Sequence, residues 1–397
     1  MPRAPACGVD HKGMNPLRLA VLGSTGSIGR QTLEVIRSLG ERFRVVGLAG
    51  GRNVTLLEEQ VREFAPDLVW SDDEARRSTL TAASRSPKAR WTAMTEMAVD
   101  PDVDLVVIGT VGRAGLEPTL AALRAGKVVA LANKEVLVMA GPVVMEAAAE
   151  GGGELRPIDS EHSAIWQCLW GEDCQGIRRI ILTGSGGAFR DRPLEELAKV
   201  TPEEALRHPV WQMGRKITVD SATLINKGFE AIEARWLFDV PFERIDIVMH
   251  PESVIHSLVE FTDGCLKAQM GPPDMRLPIQ CALCYPERVA LSAAPRLDLA
   301  LLGTLHFAPP DLRRYPCLGL ALDAGHRGGT YPAVLAAADE VAVEHFLGGH
   351  IGFMDIPAAL EDALSAHRGT ADASLEAVLA ADAWARRRAD EWVKARV

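Results

Sequence analysis

Residues 17–30, LRLAVLGSTGSIGR, pass from an apolar run (Leu17 to Leu22) into three glycines, Gly23, Gly26 and Gly29, spaced three apart. A strand that ends in a glycine turn and opens a helix brings free backbone N–H groups and a helix N-terminus to one point, which suits a pyrophosphate. Gly23, Thr25, Gly26 and Ser27 are small enough to let such a group approach, and Gly29 allows the helix to pack closely on the sheet. The spacing differs from G-x-G-x-x-G, and a tight strand-to-helix turn without a ligand is the alternative. Its place at the first crossover of the chain favours the nucleotide.

Further along, RVVGLAG (44–50), PDLVW (66–70), VDLVVIG (103–109) and KVVALA (127–132) read as strands. Between them QTLEVIRSLG (31–40) and VTLLEEQVREFA (54–65) carry helical periodicity, the second closed by Pro66. This alternation predicts an α/β fold beginning with a Rossmann-like, doubly wound parallel sheet. After the second strand stand Gly51, Arg52 and Asn53, where an NAD site would place a carboxylate for the ribose 2′-OH. A cation and an amide suit a 2′-phosphate, and so NADP(H); a surface arginine in a loop is the bland alternative.

The chain has 397 residues, 47% hydrophobic and 24% charged, which allows two or three globular domains. A net charge of −10 argues against a nucleic-acid partner, and no apolar run reaches the length of a membrane span. The seven cysteines form no disulfide or zinc pattern, and Cys281-Ala-Leu-Cys284 reads as a pair of buried thiols in a reducing, cytoplasmic setting. Residues 1–16 lack the apolar core of a secretory signal and read as a disordered tail. The expected segments are a nucleotide-binding domain at 17–157, a central α/β catalytic domain at 158–288, a Pro-rich surface linker at 289–317 and a C-terminal α-helical domain at 318–397. Within the central domain RRIILTG, RIDIVMH and CLKAQM read as strands around one helix, Ser221 to Phe238.

Polar density concentrates in three places. In Asp159-Ser160-Glu161, read as extended strand, the two carboxylates fall on one side and repel unless a cation lies between them. Such an oxygen-rich set suits Mg²⁺ or Mn²⁺, though by itself the pattern is more often a solvated strand edge. Thr183-Gly184-Ser185-Gly186-Gly187 is either an anion nest or a flexible turn. In the third, Ser221 falls near a helix N-terminus, and Asn226 and Lys227 precede Glu230 by four and three residues on neighbouring helix faces. Such a combination would suit a phosphate, with Glu230 available as a third oxygen ligand. The loop 207–215, with Trp211 and Met213 between Pro209 and Gly214, is a set of core anchors or the apolar underside of a lid.

Taken in order, GSTGSIG, GGRN, ALANKE, DSEHSAI, LTGSGG, RHPVWQMGRKITVDSATLINKG, EARWLF, HPESVIHS and PDMRLPI resemble the 1-deoxy-D-xylulose 5-phosphate reductoisomerase family, from about Leu17 to the C-terminal helices. The resemblance implies an NADPH-dependent homodimer that uses Mg²⁺, Mn²⁺ or Co²⁺ on the methylerythritol phosphate route to isoprenoids. It implies that Asp159, Glu161 and Glu230 bind the metal, and that Lys134, Ser160, Ser185, His208, Ser221, Asn226 and Lys227 hold the substrate. NADPH would meet Thr25, Gly26, Ser27, Ile28, Gly51, Arg52, Asn53, Asn133, Lys134, Glu135 and Gly214, while Trp211 and Met213 belong to a mobile lid. The implied reaction is a retro-aldol cleavage and recombination at a metal-chelated hydroxyketone, then hydride transfer, giving 2-C-methyl-D-erythritol 4-phosphate. Val136 after ANKE, Gln212 beside Trp211 and the short segment from Gln167 to Ile180 depart from the family pattern and bear on substrate affinity and lid motion. Two other readings are another NADP-dependent dehydrogenase of a phosphorylated aldehyde, and a non-catalytic NADPH-binding regulator. An acyl-phosphate-type enzyme of the first kind would need a nucleophilic cysteine beside a histidine, which Cys168, Cys174 and Cys265 do not offer, and the second has no use for three metal carboxylates.

Overall fold

A computed structural model of the chain describes residues 15–291, 294–370 and 373–396. Residues 1–14 of the expected tail lie outside the described residues. The opening stretch forms strand β1 (Leu17–Leu22) and a helix, Ser27–Leu39, with Gly23 to Gly26 as the turn between them. Six more strands follow: β2 (Phe43–Gly50), β3 (Leu68–Ser71), β4 (Arg90–Trp91), β5 (Leu105–Ile108), β6 (Val128–Leu131) and β7 (Glu154–Pro157). They make one parallel sheet in the order β4-β3-β2-β1-β5-β6-β7. Leu19, Ala20, Val21 and Leu22 are wholly buried because β1 is central and covered on both faces, which is why its sequence is continuously apolar.

The order of strands reverses between β1 and β5, and ligands of such sheets bind at that crevice. Here the geometry demands glycine. Gly23 has φ +86°, and a Cβ on it would sit 2.5 Å from the Gly109 carbonyl carbon at the end of β5. A Cβ on Gly29 would lie 2.3 Å from the Gly23 oxygen, so the helix is seated directly on the turn.

Contacts divide the chain into two compact units, one of residues 1–136, 144–166 and 274–295, the other of 137–143, 167–273 and 296–397. The first is the parallel sheet with its helices. Its late segment returns as the Arg276–Cys284 helix, whose Ile279, Ala282 and Leu283 join the core cluster of Leu33, Val35 and Val107. In the second unit β8 (Ile177–Gly184), β9 (Ile245–Met249), β10 (Ile255–Phe261) and β11 (Leu266–Met270) form a mixed sheet in the order β11-β10-β8-β9. Residues 137–143 belong here because Gly141 lies against Trp236; a Cβ on it would be 2.2 Å from the indole. Strand β10 and the long helix Lys134–Gly151 were not among the elements read from the sequence.

Four helices, Pro316–Arg327, Tyr331–Leu347, Asp355–Ala366 and Leu375–Lys394, pack together as the Ala-rich sequence predicts. The first also abuts the Ile225–Leu237 helix, where Gly228 leaves room for Ala321; an added Cβ would come within 2.2 Å of the Ala321 methyl. The expected linker is only partly a surface segment. Leu299 and Leu301 are exposed, but Ala308 bridges to Met249 and Tyr315 is buried. Among the described residues no helix is long and apolar enough to cross a membrane.

Candidate functional site

In the first unit the glycine turn presents an exposed Gly26 and half-buried Thr25, Ser27 and Ile28. Ser24 takes no part in presentation, because its hydroxyl donates to Gln60 Oε1 at 2.8 Å and Gln60 returns a bond to its carbonyl. At the end of β2, Asn53 accepts from the Leu56 N–H at 3.1 Å and caps the Val54–Phe64 helix. One half of that amide is therefore structural, a role the sequence reading did not assign. Arg52 is exposed, and its guanidinium has no hydrogen-bond or ion-pair partner among the described residues. Gly51 beside it is half-buried.

Asn133 follows β6 and occupies the N-cap position of the Lys134–Gly151 helix, though its side chain makes no capping bond; it is 2% exposed. Its amide donates to Gly112 O at 2.8 Å and to Thr110 Oγ1 at 3.2 Å, while its own carbonyl oxygen is buried without a partner among the described residues. An orphaned acceptor at the C-terminal edge of a parallel sheet suits a ligand bearing an N–H or O–H donor. Glu135, half-buried, occupies the first turn of the same helix, and Val136 is wholly buried.

The Asp159-Ser160-Glu161 reading needs correction. Strand β7 ends at Pro157, and a helix starts at Ser160, with the Asp159 carbonyl accepting from the Ser163 N–H at 2.8 Å. Strand alternation therefore does not align the two carboxylates. They converge because Asp159 sits at the N-cap and Glu161 in the first turn, with carboxylate oxygens within 4.8 Å of each other. Lys134 Nζ is 2.6 Å from Asp159 Oδ2 and His162 Nδ1 is 3.7 Å from it. Burial opposes ionisation of Asp159, but the Lys134 ammonium, aided by His162, outweighs it and holds the carboxyl well below the usual carboxylate range. Ser160 Oγ lies 2.5 Å from Glu161 Oε2 and donates to it.

In the second unit a further correction applies. The expected helix from Ser221 to Phe238 is two helices, Arg215–Thr223 and Ile225–Leu237, broken at Leu224 with φ +60°. A leucine in that region costs on the order of 1–2 kcal/mol, held here by complete burial of its side chain. Ser221 thus lies in the last turn of one helix, not at the N-terminus of the next, while Asn226 and Lys227 open the second. The i, i+4 and i, i+3 spacings then act as expected. Asn226 Nδ2 donates to Glu230 Oε1 at 2.6 Å, and the Lys227 ammonium pairs with Glu230 Oε2 in a site where Glu230 is wholly buried.

The glycine loop after β8 approaches the same helix pair. A Cβ on Gly187, φ +67°, would be 2.5 Å from the Ser221 carbonyl oxygen, and one on Gly184 would touch the Lys227 stem at 3.4 Å. Ser185, Ser221 and Lys227 are therefore gathered by the second unit alone. His208 joins them: its Nε2 is 2.9 Å from Ser185 Oγ. Its Nδ1 accepts from the Val210 and Trp211 N–H groups at 3.1 and 2.8 Å, which places the imidazole proton on Nε2, donating to the serine. Ser185 Oγ also accepts from the Gly187 N–H at 3.2 Å, so its own proton is left to donate elsewhere.

Burial, and then the charge of Arg190, push the His208 imidazole from 6.5 down to about 4. An NMR titration is expected to show this ring neutral, with the Nε2–H tautomer, down to about pH 5. Because the folded value lies below the unfolded one, its contribution to stability is intact above pH 6.5 and is lost as pH falls toward 4. A ring that protonates near 6.5 in the folded protein would contradict this geometry.

The loop 207–214 has no regular structure and leads into the Arg215–Thr223 helix, with Gly214 exposed at its N-cap. Trp211 and Met213 are half-buried and Gln212 is exposed. The Trp211 ring lies 5.9 Å from His256, a neighbour to which sequence reasoning gave no role. At the root of the loop, Lys216 is 2.7 Å from both Asp220 and Asp339, two carboxylates buried in this unit. The thiols of Cys281 and Cys284 are pushed up to about 11 by burial, as unreactive cysteines.

The patterns that describe the 1-deoxy-D-xylulose 5-phosphate reductoisomerase family match residues 19–141 and, for its C-terminal domain, 155–238; a third, the DXP reductoisomerase C-terminal domain, matches 270–388. The chain is 53% identical over 373 residues to the 1-deoxy-D-xylulose 5-phosphate reductoisomerase of Pelotomaculum thermopropionicum, covering 93% of this chain and 96% of that one. It is 53% identical over 381 residues to the enzyme of that name from Thermomicrobium roseum, covering 95% and 98%. Among solved structures, the Zymomonas mobilis reductoisomerase in complex with NADPH superposes with a TM-score of 0.88 at 42% identity, over 95% of this chain and 99% of that one. A DOX-P reductoisomerase in complex with NADPH, fosmidomycin and magnesium gives 0.89 at 40% identity, over 95% and 98%.

Proposed function

The chain belongs to the 1-deoxy-D-xylulose 5-phosphate reductoisomerase family, and from that premise we propose which of its groups carry the reaction. It is an NADPH-dependent, divalent-metal oxidoreductase that converts 1-deoxy-D-xylulose 5-phosphate on the methylerythritol phosphate route. The observation that best supports the assignment of groups is the matching of carboxylates with lysines: Asp159 with Lys134, Glu230 with Lys227. Each acid already requires a positive partner within its own unit, as a cation ligand would.

Asp159, Glu161 and Glu230 are the proposed metal ligands. Their all-oxygen character suits Mg²⁺, Mn²⁺ or Co²⁺, with Mg²⁺ and Mn²⁺ favoured for hard carboxylates. When bound, the ion supplies Lewis acidity and a template for the substrate's neighbouring oxygens. Lys134 and Ser160 then orient the reacting end of the substrate. Ser185, Ser221, Asn226 and Lys227 hold its phosphate, with neutral His208 fixing the Ser185 hydroxyl. NADPH supplies the hydride, and its proposed contacts are Thr25, Gly26, Ser27, Ile28, Gly51, Arg52, Asn53, Asn133, Lys134, Glu135 and Gly214. The Arg52 guanidinium and the buried Asn133 oxygen, both without a partner among the described residues, fit that assignment. By segment, 17–157 serves the nucleotide, 158–288 the chemistry, 289–317 joins them to the helical region 318–397. Spectrophotometric NADPH oxidation with 1-deoxy-D-xylulose 5-phosphate and Mg²⁺ or Mn²⁺ tests the assignment; loss of turnover with chelator is expected, and metal-independent turnover would overturn it.

The loop 207–215 is proposed as the lid, with Trp211 and Met213 on its inner side. Trp211→Ala is expected to leave the apo protein's melting temperature nearly unchanged, because the ring is half-exposed, and to lower kcat/KM. A fall in stability of about 3–5 kcal/mol would mark a core anchor instead.

The proposed assembly is a homodimer. Support comes from β11, an outer strand of its sheet that carries Leu266, 54% exposed. A sedimentation mass equal to one chain at micromolar concentration would refute it. The setting is proposed as cytoplasmic, which suits the thiols of Cys168, Cys265, Cys281, Cys284 and Cys317.

A further inference from the structure

The glycine loop after β8 has little conformational preference of its own. Gly186 and Gly187 both have positive φ, +87° and +67°, and glycine peptides rotate readily. What orients them comes from elsewhere in the second unit. The carbonyl of Gly184 accepts from the His250 N–H at 2.7 Å, that of Ser185 from Arg190 Nη1 at 3.2 Å, and that of Gly186 from the Tyr315 hydroxyl at 3.0 Å. Arg190 Nη1 also binds the Pro251 carbonyl at 3.1 Å, which ties it to the end of β9. Next to Tyr315, Arg314 Nη1 holds the Phe189 and Arg192 carbonyls at 2.9 and 2.6 Å, closing the loop's exit.

A planar trans peptide points its N–H opposite its C=O. Fixing the Gly184 carbonyl therefore aims the Ser185 N–H, and fixing the Ser185 carbonyl aims the Gly186 N–H. Neither of these N–H groups has a hydrogen-bond acceptor among the described residues. Fixing the Gly186 carbonyl aims the Gly187 N–H, and that group donates to Ser185 Oγ at 3.2 Å. Each carbonyl is held on one side, so the amides face the other, as an anion requires.

We propose that Tyr315 and Arg190 are positioning residues of the phosphate-binding loop, gripping its carbonyls so that the Ser185 and Gly186 N–H groups and the Ser185 hydroxyl face the substrate phosphate. Neither residue touches the phosphate. The proposal rests on the reading above that this loop holds the phosphate. Tyr315 is 3% exposed, and burial pushes its phenol up to about 12, so it remains a neutral donor at any working pH. Its place is also sterically specified, since a Cβ on Gly186 would lie 3.1 Å from the hydroxyl and 2.8 Å from the Arg190 Cβ. The segment read as a surface linker thus ends by shaping the site.

Tyr315→Phe removes one hydroxyl and keeps the ring. The probes are inorganic phosphate, as a competitor of the phosphosugar, and NADPH. The inhibition constant of phosphate and the KM of the phosphosugar are each expected to rise about 5- to 10-fold, the equivalent of one hydrogen bond, with NADPH affinity unchanged. Arg190→Lys retains charge but loses the shared contact to two carbonyls, and should shift the same two constants in the same direction. A general structural role would lower the melting temperature or the active fraction and leave the phosphate constant alone. Folded Tyr315→Phe and Arg190→Lys proteins with wild-type phosphate constants would overturn the proposal. Ser185→Ala and Lys227→Gln separate the two levels: if they too leave phosphate binding unchanged, the phosphate reading itself falls. If they weaken it while Tyr315→Phe and Arg190→Lys do not, only the positioning role is lost.

Discussion

Glu230→Gln is expected to lower turnover at limiting metal by roughly 100- to 1,000-fold, about 3–4 kcal/mol of transition-state stabilisation. The substitution keeps shape and removes one charge from a side chain that is wholly buried. Because Glu230 also neutralises the buried Lys227, the apo protein should be less stable as well, since a buried charge that loses its partner is costly. The two effects are separable. Extra Mn²⁺ should recover part of the turnover but none of the apo stability, and NADPH binding should survive. Asp159→Asn is expected to behave alike, since it leaves Lys134 in the same position. The double variant should lose less activity than the sum of the single losses, because both acids act through one ion. Full activity of either single variant at limiting metal would refute the ligand assignment.

Arg52→Asp should lower NADPH affinity by about 100-fold or more, from the loss of charge-assisted hydrogen bonds and the gain of a repelling carboxylate. NADH should be affected far less. The local structure favours a clean experiment. Arg52 is exposed and unpartnered among the described residues, while the helix that follows is capped by Asn53 and not by the arginine. Fluorescence titration of both cofactors measures the ratio directly. Equal losses for the two would show that the 2′-phosphate is read elsewhere.

These predictions differ in how far the sequence alone supports them. The apolar run before Gly23, the glycine spacing and the absence of an acid after β2 are local features, and local features are what sequence periodicity reports. They were sufficient for the parallel sheet and its glycine turn, and they ground the proposal for Arg52. The partnership of Asn226, Lys227 and Glu230 was legible for the same reason: once a helix forms, three- and four-residue spacings place side chains together. Resemblance to the family supplied roles for residues whose own patterns left alternatives open, Asp159 and Trp211 among them.

Other features depended on contacts between segments far apart in the chain. Strand alternation was the wrong ground for pairing Asp159 with Glu161, because the strand stops at Pro157 and a helix cap takes over. Nothing in the local pattern shows Leu224 adopting φ +60°, a strain that only a fully packed surrounding maintains, and so Ser221 was placed at the wrong end of a helix. The tautomer of His208 is set by two backbone amides of its own loop, and the direction of the glycine loop by Arg190 and by Tyr315, 129 residues from Gly186. The sequence by itself determined the strand–helix alternation of the parallel sheet and which chemistry the polar residues can perform. Only the tertiary structure decided where those groups point, because orientation is fixed by hydrogen bonds and close packing between distant segments, and no local periodicity encodes those.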